Sequence, residues 1–108
     1  TPPPVRSPTF FGHPAAVHID TRATIPAAAV RDLLQNAPGV TRLDGAAAGE
    51  YPTAVTDASG TDPVYVGRVR EDISHPTGID LWIVADNIRK GAALNSVQIA
   101  EILAKNHL

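Results

Sequence analysis

Cysteine and methionine are both absent from the 108 residues of this chain. Without cysteine, the chain can form no disulfide, no thiolate metal site and no cysteine nucleophile of its own. Without methionine it carries no translation start, and it opens on TPPP, a proline-rich lead of the kind that connects structural elements. We therefore expect the chain to be a fragment of a longer protein.

Strong charge of one sign and long apolar runs are also lacking. The formal net charge is −2, which gives no long-range attraction to nucleic acid or to anionic membranes. No apolar run approaches the length needed to cross a bilayer, and no signal-peptide pattern opens the chain. The 44% of apolar residues and 19% of charged residues are ordinary for a soluble domain. We expect one domain or part of one, with neither nucleic acid nor a membrane as partner.

Strand and helix patterns alternate along the chain. Period-two alternation predicts strands at residues 9–21 and 63–72, the apolar run at 79–85 predicts another, and residues 40–43 are a short strand candidate. Helical spacing predicts helices at 26–35 and from 86 or 87 to about 105. Thr24 is the predicted cap of the first helix. Alternation within the third strand puts Val66 and Val69 on opposite sides.

Residues 44–62 are rich in turn formers and are predicted to run over the surface. This order indicates an α+β fold, with an antiparallel sheet and helices packed on one face.

The last predicted helix carries both an apolar stripe and an unusual charge pattern. The stripe, which we expect to be buried, consists of Ile88, Ala92, Ile99, Ile102 and Leu103. Arg89 and Lys90 fall in the first turn, where cations oppose the positive end of the helix dipole. An anion or an acidic neighbour would compensate them, or both side chains could extend into water. The sequence leaves these alternatives open.

Four histidines are candidates for moving a proton near neutral pH. His13 stands out because Gly12 and Pro14 flank it, which fixes the backbone and clears space around the ring. The other three are expected to be solvated: His18, His75 and His107. No two histidines have the spacing of metal ligands, and we predict no metal site.

Arg6 lies seven residues before His13. Its planar guanidinium is suited to a carboxylate in a way that lysine is not, although a solvated surface charge is the simpler explanation. A single extended strand would separate the two α-carbons by roughly 23 Å, too far for them to share a small ligand. A bend near Pro8 or Gly12 would shorten that distance. The spacing alone therefore leaves open whether the two residues serve one site.

Three stretches, in the same order and covering nearly the whole chain, resemble the C-terminal third of aspartate-semialdehyde dehydrogenase: VRSPTFFGHPAAVHI, EYPTAVTDASGTDPVYVGRVRED and LWIVADNIRKGAALNSVQIAEIL. The resemblance implies a fold like the C-terminal domain of glyceraldehyde-3-phosphate dehydrogenase-like enzymes. It assigns residues 1–86 to the catalytic and dimerisation domain. Residues 87–108 would form a terminal helix that returns to a nucleotide-binding domain outside this sequence.

The resemblance also implies a reaction, the NADPH-dependent reductive dephosphorylation of L-aspartyl-4-phosphate to L-aspartate semialdehyde and phosphate. This is a step in the biosynthesis of lysine (through diaminopimelate), threonine and methionine, and the enzyme would be a cytoplasmic homodimer. By match to the family's motifs, Arg6 would bind the substrate carboxylate, His13 would be the acid/base and Asn87 would contact the cofactor. NADP would be bound mainly by the missing N-terminal domain. Because the family's nucleophilic cysteine precedes this region, the isolated chain is expected to be inactive.

Two other interpretations stay open. The chain could be the C-terminal domain of a non-catalytic paralogue, which the segment DASGT also resembles, or a stand-alone dimerisation module. An Asn-Cys nucleophile turn upstream would exclude the paralogue. A folded dimer that needs no other domain would favour the module.

Overall fold

A five-stranded sheet organises the residues that the structure, a computed structural model, describes: 5–6, 9–45 and 47–107. The strands lie in the spatial order β1-β2-β5-β4-β3. They are β1 (Val5–Arg6), β2 (His13–Asp20), β3 (Val40–Arg42), β4 (Val64–Glu71) and β5 (Gly78–Ala85). The helical segments are α1 (Ala27–Gln35), a π-helical turn at Ala54–Ala58, a second at Arg89–Ala93, and α2 (Leu94–Asn106).

Most strand pairs in this sheet are antiparallel, which confirms the predicted α+β class. β5 pairs antiparallel with β2 on one side and with β4 on the other, and β1 adds antiparallel to β2. The exception is β3, which pairs parallel with β4. A parallel pair needs a long crossover, and residues 43–63 supply it. The sheet is therefore mixed at one edge.

The main core lies between α1 and one face of the sheet. Its buried members are Ala27 from the helix and Val66, Val69, Ile79 and Leu81 from the strands. Partly buried side chains of α1 and β2 pack around them, including Val30, Leu34 and Val17.

A bulge in β4 overturns the predicted alternation of that strand. The register with β5 shifts between Gly67 and Arg70, and Arg68 adopts a φ of 53°. The bulge adds one residue, so Val69 joins Val66 in the same core instead of pointing to the other side. The backbone N–H of Arg68 donates to Oδ1 of Asp44 at 2.7 Å, which holds the bulge in place.

The Ala54–Ala58 turn covers part of the opposite face of the sheet, where the sequence predicts only a surface loop. Ala54 and Ala58 are buried against Val84, and the indole N–H of Trp82 donates to the carbonyl of Pro52 at 2.9 Å. Alanine side chains let the backbone of the turn approach the sheet closely, and alanine alone gives no amphipathic signal in the sequence. The prediction of a surface loop was wrong for this part.

The predicted burial of the apolar stripe on the last helix is wrong within the residues that the structure describes. Its isoleucines and leucine are each between 50% and 66% exposed, and Ala92 is exposed as well. α2 continues directly from the Arg89–Ala93 turn and makes no extensive contact with the described strands or with α1. No helix of the described chain is long and apolar enough to cross a membrane.

Helix α1 begins without its predicted cap. The N-cap residue is Pro26 rather than Thr24, and proline has no side-chain acceptor. The first free backbone donor, the N–H of Ala27, instead bonds to Oε1 of Glu71 on β4 at 2.9 Å. A carboxylate from a neighbouring strand thus replaces the local cap.

Replacing Glu71 by alanine should destabilise the fold, because it removes this acceptor from the start of α1. We expect a loss of about 1 kcal/mol in the free energy of unfolding, the usual cost of deleting a cap. The matched change Thr24→Ala should cost less than about 0.5 kcal/mol, as at an ordinary surface position. Urea unfolding of both variants measures the difference, and a larger loss at Thr24 would contradict the assignment.

Candidate functional site

The β1–β2 hairpin brings the backbone positions of Arg6 and His13 close together. Arg6 pairs directly with Ala15, and His13 lies two residues before Ala15 on β2. Direct partners share a face of an antiparallel pair, and so do residues two apart on a strand. Arg6 and His13 are therefore diagonal neighbours on one face, with α-carbons about 7–8 Å apart. The chain reverses between them, which removes the separation expected of a single extended strand.

Gly12 sets the backbone immediately before His13. Its φ of +78° lies in the region that favours glycine, and a Cβ built there would lie 2.8 Å from Cβ of Ala54. The space beside the Gly12 backbone is thus filled by the Ala54–Ala58 turn. His13 itself begins β2 and is exposed to solvent.

Asn87 reaches this segment from the end of β5. Its Oδ1 accepts a hydrogen bond from the backbone N–H of Gly12 at 3.1 Å. The contact follows from strand register, because His13 pairs with Ala85, two residues before Asn87. Two of the three predicted site residues, His13 and Asn87, are therefore linked through Gly12.

Asp86 is a buried carboxylate that the sequence does not single out as part of the site. It is 8% exposed, and its Oδ1 accepts from the backbone N–H groups of Ile88 and Arg89 at 2.8 Å each. Its Oδ2 accepts from the N–H of Gly60, also at 2.8 Å. The bonds from Arg89 and Gly60 hold the pKa of Asp86 below its usual range. Asp86 thus ties the start of the last helical segment to the chain that follows the Ala54–Ala58 turn. An aspartate directly after a strand and before a helix was the available signal.

The two cations that follow Asp86 have partners within the chain. Arg89 forms an ion pair with Asp62. The ammonium of Lys90 donates to two amide oxygens farther along the helix, at 2.9 Å from Asn95 and 2.7 Å from Gln98. Of the alternatives that the sequence leaves open, the acidic neighbour is the one found at Arg89.

Comparison with known proteins identifies the family. Residues 2–90 match the family described as "Semialdehyde dehydrogenase, dimerisation domain". The chain belongs to this family. It is 58% identical over 106 residues to an aspartate-semialdehyde dehydrogenase of Shewanella sp. (strain DB6705), covering 98% of this chain and 31% of that protein. A relative from Legionella pneumophila is 55% identical over 107 residues, which cover 99% of this chain and 31% of that protein.

Solved structures agree with the fold of this semialdehyde dehydrogenase domain. The crystal structure of aspartate semialdehyde dehydrogenase II from Vibrio cholerae superposes with a TM-score of 0.83 at 55% identity, covering 92% of this chain and 29% of that one. The enzyme from Francisella tularensis, at 19% identity, shares the fold with a TM-score of 0.77. The chain spans less than a third of the length of the relatives it matches.

A second polar cluster of the domain surrounds His18, on the opposite face of β2 from His13. The imidazole is not solvated as predicted: the side chain is only 10% exposed. Its Nδ1 lies 2.9 Å from Asp80, and its Nε2 lies 3.0 Å from Asp20. Oδ2 of Asp72 lies 3.7 Å from Nδ1. Hydrogen bonds to Asp80 first and Asp20 second raise the pKa of His18. The prediction failed because carboxylates from β5 and the β4–β5 connection converge on a position that sequence marks only as polar.

The His18 cluster should make the stability of the domain depend on pH. Because the folded-state pKa is raised above the ordinary value of about 6.5, the stabilisation is fully present below that value. It is lost as pH rises through the folded-state pKa. We expect the stability difference between wild type and His18→Gln to be larger at pH 6 than at pH 9 in urea unfolding. The control His107→Gln removes an imidazole outside the cluster and should preserve the wild-type pH dependence. A difference that is equal at both pH values would contradict the assignment.

Proposed function

We propose that this chain supplies part of the active site of an aspartate-semialdehyde dehydrogenase. The reaction is the reductive dephosphorylation of L-aspartyl-4-phosphate to L-aspartate semialdehyde and phosphate, run by a cytoplasmic homodimer in lysine, threonine and methionine biosynthesis. Membership of the family and 58% identity to the Shewanella enzyme support this proposal. The observation that carries it is the hairpin register, which makes Arg6 and His13 neighbours on one face of the sheet.

Arg6 and His13 would divide the work of binding and proton transfer. In the proposed reaction Arg6 binds the substrate's carboxylate, for which a guanidinium offers two parallel donors. His13 takes the proton of the attacking thiol and returns a proton when the tetrahedral intermediate collapses. The exposure of His13 leaves the ring open to a substrate. The thiol itself comes from outside this chain, which has no cysteine.

Asn87 fits a contact with the cofactor. Its side chain is exposed, and the bond to Gly12 uses the amide oxygen, so the amide nitrogen can donate to a ligand. NADPH would supply the hydride that reduces the acyl group to the aldehyde. Most of its binding would come from the nucleotide-binding domain that lies outside this sequence.

The exposed stripe of the last helix supports the division of the chain at residue 87. Apolar side chains along α2 are half exposed, among them Val97, Ile102 and Leu103. A contiguous apolar surface of this kind is typical of an interface. In the proposal, residues 87–108 pack this stripe against the nucleotide-binding domain, while residues 1–86 complete the catalytic and dimerisation domain.

The His13→Ala variant of the full-length parent enzyme tests the assignment. We expect kcat to fall by about a hundredfold or more, because general acid–base catalysis is lost. The matched control His75→Ala removes an exposed imidazole from the loop before β5 and should leave kcat within about twofold of wild type. Steady-state assays with aspartate semialdehyde, NADP and phosphate provide both values. An unchanged rate in the His13 variant would move proton transfer to another residue.

The isolated chain should have no dehydrogenase activity, because the sulfur nucleophile and most of the cofactor site are missing. The same assay, run on the purified chain beside its full-length parent, checks this expectation. Turnover by the isolated chain, free of longer species, would overturn the mechanism. A parent protein that is itself inactive would favour the non-catalytic paralogue.

A further inference from the structure

We infer that Asn87 is a positioning residue for His13 and acts through the backbone of Gly12. The inference rests on the proposed function, in which His13 is the acid/base, and it adds a second role to a residue so far assigned only to the cofactor. The juxtaposition that carries it is the hydrogen bond from the Gly12 N–H to Oδ1 of Asn87, at 3.1 Å.

This hydrogen bond restrains the one backbone position near His13 that most needs a restraint. Gly12 adopts a φ of +78°, and a glycine has access to more backbone conformations than any other residue. Its conformation sets the direction in which β2 begins, and therefore the placement of His13. On one side Gly12 packs against Ala54, where a Cβ would come within 2.8 Å. Its N–H is held by Asn87 and its carbonyl accepts from the Thr9 hydroxyl at 3.1 Å, so these contacts together limit its freedom.

Asn87 is in turn fixed by its neighbours in sequence. Ala85 is paired with His13 in the sheet, and Asp86 is buried with three backbone N–H groups bound to its carboxylate. The strand ladder ends at the His13–Ala85 pair, and the Asn87 side chain extends it by one further bond to the Gly12 backbone. The Oδ1 atom that accepts from Gly12 therefore belongs to a residue whose two preceding neighbours are held in place.

The two ends of the Asn87 amide then have separate roles. The oxygen accepts from Gly12 and positions His13, while the nitrogen can donate to the cofactor. Asn87→Ala removes both atoms, whereas Asn87→Asp keeps an acceptor and removes the donor. Comparing the two substitutions in the full-length parent enzyme separates the roles.

We expect Asn87→Ala to lower kcat about tenfold, since the loss of one hydrogen bond that orients a reacting group has an effect of this size. Asn87→Asp should keep kcat within about threefold of wild type, because the acceptor is retained. Both substitutions should raise the KM for NADP, because the donor is lost in each. The control pair Asn36→Ala and Asn36→Asp makes the same chemical changes at an exposed residue after α1, and should leave kcat and KM unchanged.

Two kinetic outcomes would overturn the inference. If both Asn87 variants keep the wild-type kcat and change only the KM for NADP, the residue is a cofactor contact alone. If both lose kcat to the same extent, the acceptor oxygen is not what matters. Only a loss in the alanine variant with rescue by aspartate supports positioning.

Amide hydrogen exchange of Gly12 in the wild-type protein tests the hydrogen bond without an activity assay and without a variant. In the wild-type parent the Gly12 amide should exchange at least about tenfold more slowly than that of exposed Phe11, because its N–H is bonded. Equal rates would overturn the inference. Absence of aspartate-semialdehyde dehydrogenase activity in the wild type would defeat the proposed function instead, and the Gly12 rate would still decide the hydrogen bond.

Discussion

The antiparallel register of β2 against β5 is the constraint on which the rest of the structure depends. It is eight residue pairs long, from His13 opposite Ala85 to Asp20 opposite Gly78. Because side chains alternate along a strand, a slip of one residue would send every side chain of β2 to the other face. The same register therefore places Val17 in the core, His18 beside Asp80, and His13 at the strand end from which Asn87 is reached. Core, charge cluster and candidate site are consequences of one alignment.

Carboxylates bonded to backbone N–H groups fix the connections between the strands. These bonds run from Ala27 to Glu71, from Arg68 to Asp44, from Thr53 to Asp57, from Gly60 to Asp86 and from Ser74 to Asp72. Each satisfies a donor at a helix start, a bulge or a turn, where the regular ladder gives no partner. An ionised acceptor makes the stronger kind of hydrogen bond. These acidic residues thus organise the backbone of the chain.

Periodicity predicted the elements of this fold better than it predicted their surroundings. The apolar run in residues 79–85 and the helical spacing in 26–35 identify β5 and α1 because their apolar side chains find partners within the chain. The same logic fails for His18, since alternation shows which side a residue occupies but not which carboxylates arrive there from other strands. It fails for the Ala54–Ala58 turn, because alanine carries little hydrophobic signal. Isoleucine and leucine do recur at helical spacing on α2, but within the described residues these side chains stay about half exposed instead of being buried.

The spacing of Arg6 and His13 shows most directly why a candidate site needs a fold as well as a pattern. Seven residues are compatible with two groups far apart on one strand or side by side across a hairpin. The choice depends on where the chain reverses and on the pairing of Arg6 with Ala15. Because the pairing is direct and His13 is an even number of residues from Ala15, the two positions share a face; an odd number would have separated them. In the proposed function, a chain without its own thiol would present a carboxylate binder at Arg6 and a proton carrier at His13 on the same side of the sheet, and this parity is compatible with those roles.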